Sequence, residues 1–181
     1  MKELSLNILD IAQNSVKAKA TEIEISIVEE ANKLTFSISD NGVGMKPDFL
    51  KEVTNPFTTT RTTRPVGLGI PLLKLAAEQT GGSMNITSKH IDEYKDTHGT
   101  KTEATFFKNH IDSVPLGDIV ETIVALIQCN PDIEFIFNHK IDDKEIALDT
   151  RELKAVLGDV SLNNIEVILW IKEYLNEQYI N

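Results

Sequence analysis

Four groups of polar residues and glycines in the first hundred positions have types and spacings that could serve chemistry. In the first group, Asp10 and Asn14 are four residues apart, so on a helix they share one face. An asparagine oxygen is the kind of hard donor that Mg²⁺ binds, and a carboxylate one turn away can hold a water molecule or a substrate hydroxyl. Lys17 could neutralise phosphate charge from the same helix. The alternative for all three residues is a solvated helix face.

The second group is the run Asp40-Asn41-Gly42-Val43-Gly44, which follows a stretch of alternating apolar residues. A carboxylate at the end of a strand can accept a hydrogen bond from the exocyclic amine of adenine. The two glycines would let the backbone approach the ring without an intervening Cβ, and Met45 follows them directly. A simple glycine turn is the alternative.

The third and fourth groups could bind phosphate. The stretch 55–61 (NPFTTTR) is rich in hydroxyls around Phe57 and, with Arg64, could form a lid, although a surface loop would have the same composition. Gly67-Leu68-Gly69 stands at the start of a predicted helix, where unpaired amides bind anions. The six-residue Rossmann pattern is absent. Together the four groups predict a nucleotide site.

Hydrophobic periodicity indicates the elements that would position these groups. A helix is predicted where apolar residues recur at helical spacing, and a strand where they alternate. Ile23, Ile25 and Ile27 alternate in this way, and a turn at 31–32 connects them to a second alternating run, which predicts a hairpin. The predicted helices are 3–17, 47–53 and 68–80, and the predicted strands are 21–29, 34–38, 83–89 and 100–107. This order favours a two-layer α/β sandwich.

The pattern restarts near Pro115, so we predict one domain at 1–110 and a small α/β domain of unknown role at 111–181. The second unit is small enough to need the first to complete its core. Its predicted elements are a helix at 117–128, strands at 133–138 and 144–148, and helices at 150–158 and 162–178. In the last helix we expect a buried face, with Trp170 and Tyr174 on or beside it. The residues predicted for that face are Ile165, Ile168, Ile171 and Leu175.

Composition limits the possible partners. The formal net charge is −10, from 28 acidic and 18 basic residues, which argues against nucleic acid and against an anionic membrane surface. The N-terminus has no signal-type region, and no apolar run is long enough to cross a bilayer, so we expect a cytoplasmic protein. Cys129 is the only cysteine and is predicted to be a small buried apolar residue.

The run from residue 3 to about 106 resembles the GHKL ATPase superfamily, which includes histidine kinases, gyrase-type topoisomerases, heat-shock chaperones and mismatch-repair ATPases. Residues 9–15 (LDIAQNS) resemble its N box and residues 40–44 its DxGxG box. Residues 56–60 (PFTTT) resemble the F box and residues 67–69 the second glycine box. Gly99-Thr100 stands where the family has a last glycine-threonine motif. The resemblance implies the Bergerat type of α/β (α+β) sandwich.

The resemblance also implies ligands and residue roles. ATP and Mg²⁺ would be the cofactors, with Asn14 as the magnesium ligand, Asp40 as the acceptor for the adenine amine, and Thr100 holding the adenine end, for example through a water. The glycines would shape the pocket. The residues predicted to bind nucleotide are Asn14, Asp40, Gly42, Gly44, Met45, Phe57, Thr58, Thr59, Thr60, Arg61, Gly67, Leu68, Gly69 and Thr100. Asp10 and Lys17 are the predicted catalytic residues, with Arg61 and Arg64 helping to neutralise charge.

Within the superfamily, Lys17 three residues after Asn14 resembles histidine kinases. Asp10 stands where ATP-hydrolysing relatives have glutamate. Only nine residues precede Asp10, so no upstream phospho-accepting histidine is expected. A free-standing domain of this kind resembles anti-sigma-factor serine kinases, which implies transfer of the γ-phosphoryl group to a separate acceptor protein. Two alternatives stay open: a slow ATPase that acts as a conformational switch, and a non-catalytic docking module. A homodimer is also possible.

Overall fold

One six-stranded sheet organises the residues that the computed structural model describes, which are 3–55 and 68–181. Its strands are β1 (Glu22–Glu30), β2 (Lys33–Asp40), β3 (Ser83–Lys89), β4 (Gly99–Phe107), β5 (Glu134–Ile141) and β6 (Lys144–Asp149). They lie in the order β3-β4-β2-β1-β5-β6. Every neighbouring pair is antiparallel except β1 and β5, which run parallel.

Helices cover one face of this sheet. They are α1 (Leu4–Lys17), α2 (Pro47–Val53), α3 (Gly69–Gln79), α4 (Ile119–Cys129), α5 (Thr150–Leu157) and α6 (Ile165–Ile180). Side chains Asp118, Asp149 and Asn164 cap the starts of α4, α5 and α6 by accepting hydrogen bonds from backbone amides of the first turns. Across the described residues, none of the helices is both long and apolar enough to cross a bilayer.

The alternation of β1 explains the two layers. Ile23, Ile25 and Ile27 are buried on the helical side, while Glu24 between them is exposed on the other side. The buried residues of strands and helices join in one hydrophobic cluster that extends from Leu4 in α1 to Leu175 in α6. The predicted two-layer α/β arrangement is confirmed.

Residues beyond 110 extend the same sheet, because β5 pairs with β1 over Glu22–Glu29. The elements predicted in this region all occur, with shifts of a few residues at their ends. The parallel pairing of β1 with β5 was not among the expectations, since a sequence pattern does not identify the partner of a strand. The division into domains 1–110 and 111–181 stays a prediction.

Two predictions of burial are wrong. Cys129 is exposed, because it is the last residue of α4 and lies beyond the part of that helix that faces the core. Ile165 is 67% exposed, because it is the first residue of α6 and lies at the edge of the buried face. The remaining predicted core residues of α6 are confirmed as buried: Ile168, Ile171 and Leu175. Trp170 and Tyr174 are 48% and 39% exposed, so they lie outside that buried face.

A buried polar cluster joins β1, β5 and α6 on the C-terminal side of the sheet. Burial lowers the pKa of His139 below 6.5, and its hydrogen bond to Glu29 offsets only part of that effect, so the ring is neutral at pH 7. A carboxylate only accepts, so Nε2–H of His139 donates to Oε1 of Glu29 at 3.0 Å. Nδ1 then accepts from the Tyr179 hydroxyl at 2.7 Å. Every polar atom of the imidazole is thus satisfied internally.

Candidate functional site

A cavity of about 550 Å³ opens between α1, α2, the start of α3 and strands β2, β3 and β4. Most of its wall is apolar, with Ile11, Ile70 and Ile86 among the lining side chains. The predicted site residues that line it are Asn14, Lys17, Asp40, Gly44, Met45 and Thr100. The folded chain therefore brings together residues from two of the four sequence groups, together with Thr100 of the glycine-threonine motif. The volume suits a ligand of nucleotide or drug size.

Asp40 is the most firmly positioned polar side chain in this cavity. Ser15 Oγ donates to its Oδ2 at 2.5 Å. The backbone amides of Gly42 and Thr100 donate to its Oδ1 at 2.8 Å and 3.3 Å. A carboxylate offers about four acceptor positions and these bonds use three, so one position remains for a donor on a ligand.

The loop after β2 is held by close backbone approaches. Gly44 has φ +73°, and a Cβ there would lie 2.0 Å from the carbonyl oxygen of Lys89. The amide of Val43 donates to the carbonyl of Ala18 at 2.9 Å, and its own carbonyl accepts from the amide of Ile91 at 2.8 Å. The glycine therefore serves contact between protein backbones, in addition to any approach to a ligand.

Three polar residues that the sequence analysis did not select complete this end of the site. Ser15 holds Asp40, as described above. Ser88 Oγ accepts from the amide of Met45 at 2.7 Å and is hydrogen-bonded to Thr100 Oγ1 at 2.8 Å. His98 Nδ1–H donates to the carbonyl of Gly42 at 2.5 Å. Ser15 could have been found from the sequence, because it follows Asn14 directly, whereas Ser88 and His98 carry no local signal.

The other end of the cavity contains Asn14 and the exposed Lys17. Asp10 is exposed and does not line the cavity itself. It lies next to the start of α3, since a Cβ built on Gly69 would be 3.7 Å from the Cβ of Asp10. Among the residues that the structure describes, no side chain caps α3, whose N-cap is Leu68, so its first amides could bind an anion beside Asp10.

The predicted lid lies outside the described residues. This applies to Phe57, Thr58, Thr59, Thr60, Arg61, Arg64 and Gly67. Of the fourth sequence group, Leu68 and Gly69 are described.

Comparison with known proteins links this site to one family. A profile of the family described as histidine kinase-, DNA gyrase B-, and HSP90-like ATPase matches residues 2–110. DNA mismatch repair protein MutL of Lacticaseibacillus paracasei is 26% identical over 162 residues, covering 72% of this chain and 25% of that protein. Sensor protein KdpD of Clostridium acetobutylicum is 30% identical over 94 residues, covering 49% of this chain and 10% of that protein. The chain thus spans a quarter of the first relative's length and less of the second.

Solved structures agree on the fold. The MutL ATPase domain of Aquifex aeolicus complexed with ADP matches with a TM-score of 0.57 at 15% identity, over 100% of this chain and 70% of that chain. The N-terminal domain of a DNA repair protein matches with a TM-score of 0.57 at 16% identity, over 87% and 57% of the two chains. The expected architecture is confirmed.

Proposed function

Because the chain belongs to the family of histidine kinase-, DNA gyrase B- and HSP90-like ATPases, we propose that its cavity binds ATP with the adenine ring against Asp40. The observation that carries this proposal is the fixed carboxylate, which three protein donors orient and which keeps one acceptor position free. The exocyclic amine of adenine has the donor hydrogens that this position needs. The apolar wall around Ile11 and Ile86 suits the faces of the ring.

The phosphates would extend towards Asn14 and Lys17. The residues present fit Mg²⁺, because Asn14 offers one oxygen and this ion commonly takes its other ligands from phosphates and water. Bound magnesium would neutralise the charge of the phosphates. Lys17 would bind a phosphate oxygen as a point charge, and the first amides of α3, which no described side chain caps, would orient another.

The reaction that we propose is transfer of the γ-phosphoryl group to a separate acceptor protein. Such transfer depends mainly on positioning and on charge neutralisation, which Lys17 and the lid arginines Arg61 and Arg64 would supply. The bond between the γ-phosphorus and the bridging oxygen of ATP breaks, a bond to the acceptor forms, and ADP leaves. Asp10, exposed beside Gly69, would orient the acceptor atom and take its proton.

A second candidate is a slow ATPase whose nucleotide state switches the binding of a partner. The length of the match between this chain and the mismatch repair protein favours this candidate. That match covers 72% of the chain, which is more residues than 2–110 contain, so it continues past residue 110. The match to the sensor protein covers 49%. In this candidate Asp10 would orient a water molecule.

Calorimetry tests the nucleotide proposal. Wild-type protein is expected to bind ATP more tightly with Mg²⁺ than without it, and Asn14→Ala is expected to lose most of that difference. Gln13→Ala removes an exposed amide from the adjacent position of α1 and serves as the matched control. Equal magnesium dependence in Asn14→Ala and Gln13→Ala would contradict the role of Asn14.

Labelled ATP separates the two reactions. Steady release of phosphate without any acceptor, abolished in Asp10→Asn, is expected for the ATPase switch. Phosphotransfer predicts little release until an acceptor is added, and then label on that protein. Tight binding with neither release nor transfer, under any acceptor, would indicate the non-catalytic docking module.

A further inference from the structure

The outer surface of α6 combines aromatic and acidic side chains away from the core. We define this α6 outer surface by Glu166, Leu169, Trp170, Glu173, Tyr174 and Glu177, all of which are exposed. Leu169 is 59% exposed, Trp170 48% and Tyr174 39%. Val167, Ile168, Ile171 and Leu175 form the opposite, buried face of the same helix. The surface therefore exposes apolar side chains that are not part of the core.

The aromatic part is preorganised. Trp170 and Tyr174 are one helical turn apart, and their rings stack with centroids 4.9 Å apart and planes 11° apart. Stacking fixes both rings against each other while nearly half of Trp170 stays accessible. An exposed indole face is the best aromatic site for a cation, and Trp and Tyr are frequent anchors of protein interfaces.

The acidic part gives the surface a negative charge. Glu166, Glu173 and Glu177 follow one another along the helix between Leu169 and the aromatic pair, by helical spacing. Lys172 is the one basic residue of α6, and it is engaged by an ion pair with Glu121 of α4. No cation of this helix is therefore left to balance the three carboxylates.

Charge excludes the other obvious occupants. Two copies related by a twofold axis would place the same acidic stripe against itself, because such an interface is isologous, and each copy carries a net charge of −10. Phosphate-rich surfaces, whether nucleic acid or anionic membrane, would meet the same repulsion. A cationic partner satisfies both parts of the surface.

We propose that the α6 outer surface docks a basic amphipathic segment of a partner protein. Arginine or lysine side chains of that segment pair with Glu166, Glu173 and Glu177 and pack over Trp170, while its apolar side chains cover Leu169. This mode resembles recognition of an amphipathic helix. The proposal is independent of the nucleotide site, so its test is made without ATP.

Intrinsic fluorescence gives a direct readout, because Trp170 is the only tryptophan of the chain. The probe is a tryptophan-free 18-residue amphipathic peptide of leucine and lysine, and its control replaces every lysine with glutamate. The lysine peptide is expected to shift Trp170 emission saturably, with an affinity that falls as salt is added. The glutamate peptide is expected to leave the emission unchanged.

Matched variants separate local recognition from the attraction of an acidic protein in general. The triple variant Glu166→Gln, Glu173→Gln, Glu177→Gln is expected to bind the lysine peptide about tenfold more weakly, since each exposed pair contributes a fraction of the total. The control variant Glu24→Gln, Glu30→Gln, Glu78→Gln loses the same charge at exposed positions elsewhere and is expected to bind within about twofold of wild type. Circular dichroism checks that both variants are folded.

Three results would overturn the proposal. One is an unchanged Trp170 emission at saturating lysine peptide, and another is equal weakening in the two triple variants. The third is a concentration-dependent dimer in sedimentation that buries Trp170, because a second copy would then be the occupant.

Discussion

On the two sides of strand β1, a positioned polar side chain has its hydrogen-bonding capacity satisfied to a different extent. On the β2 side, Asp40 accepts three hydrogen bonds and still has an acceptor position that faces a cavity. On the β5 side, His139 uses both ring nitrogens on Glu29 and Tyr179, so its imidazole has no polar atom left for a ligand. A polar group that is fixed but incompletely satisfied indicates a site for a ligand, whereas a fully satisfied one indicates a role in stability.

This difference predicts that substitutions on the two sides will separate binding from stability. On the β2 side they should weaken nucleotide binding more than they unfold the protein. On the β5 side they should do the reverse. Four predictions test the separation, from the largest expected effect to the smallest.

Asp40→Asn is expected to weaken ATP binding at least a hundredfold, about 3 kcal/mol. The amide has one acceptor oxygen where the carboxylate has two, so either Ser15 or the pair of amides Gly42 and Thr100 loses its acceptor. The NH₂ group can also face the adenine amine, which would place two donors against each other. Calorimetry measures the loss. Asp48→Asn, an exposed carboxylate of α2, is the control and should bind like wild type. Equal affinities of the two variants would refute the role of Asp40.

His139→Ala is expected to lower the free energy of unfolding by about 3 kcal/mol, because it leaves a cavity, removes the hydrogen-bond partner of the Tyr179 hydroxyl and leaves Glu29 with Lys108 alone. ATP affinity should stay within about twofold of wild type, since His139 is not among the residues that line the cavity. Urea denaturation measures the first quantity and calorimetry the second. His110→Ala, at a partly exposed position, should cost less than about 0.5 kcal/mol. A loss of ATP binding in folded His139→Ala would contradict the separation of binding on the β2 side from stability on the β5 side.

Ser15→Ala is expected to weaken ATP binding about fivefold, about 1 kcal/mol, by freeing Oδ2 of Asp40 to rotate. The substitution removes one oxygen from a buried position on α1, so the fold should tolerate it. Ser15→Thr restores a hydroxyl and should recover part of the affinity. An unchanged affinity in Ser15→Ala would show that the backbone amides of Gly42 and Thr100 alone position the carboxylate of Asp40.

The smallest effect concerns pH. Burial lowers the pKa of His139 below 6.5, so between the folded pKa and 6.5 the unfolded chain binds more protons than the folded one. This contribution to stability is present above pH 6.5 and is lost as the pH falls towards the folded pKa. The slope of unfolding free energy against pH should therefore be less steep in His139→Gln than in wild type across this window. Identical slopes would mean that His139 does not titrate in this way.

Local pattern predicted the elements better than their arrangement. The helix at α1 and the strands β1 to β4 follow from periodicity of 3.6 and 2, which burial on one face imposes directly. The parallel pairing of β1 with β5 joins segments about 110 residues apart, and no local signal encodes it. Local pattern also gave no signal for where the buried face of α6 ends, so Ile165 was assigned to the core although it is 67% exposed.

The site shows the same division. Asp40 and Asn14 were identified because their types and spacing follow the family motifs, and the structure places both on one cavity. Ser88 and His98 were missed because their partners, Met45 and Gly42, are distant in sequence. Sequence motifs therefore predict residues that line the cavity more readily than residues that hold those lining residues in place.

Selectivity between ATP and GTP tests the central claim most directly. Guanine has a carbonyl oxygen where adenine has the exocyclic amine, so it would present an acceptor to the carboxylate of Asp40. Calorimetry on the wild-type protein with Mg²⁺ should show ATP binding, with GTP at least a hundredfold weaker. Equal affinities, or no binding of ATP, would contradict the assignment of this cavity as an adenine nucleotide site.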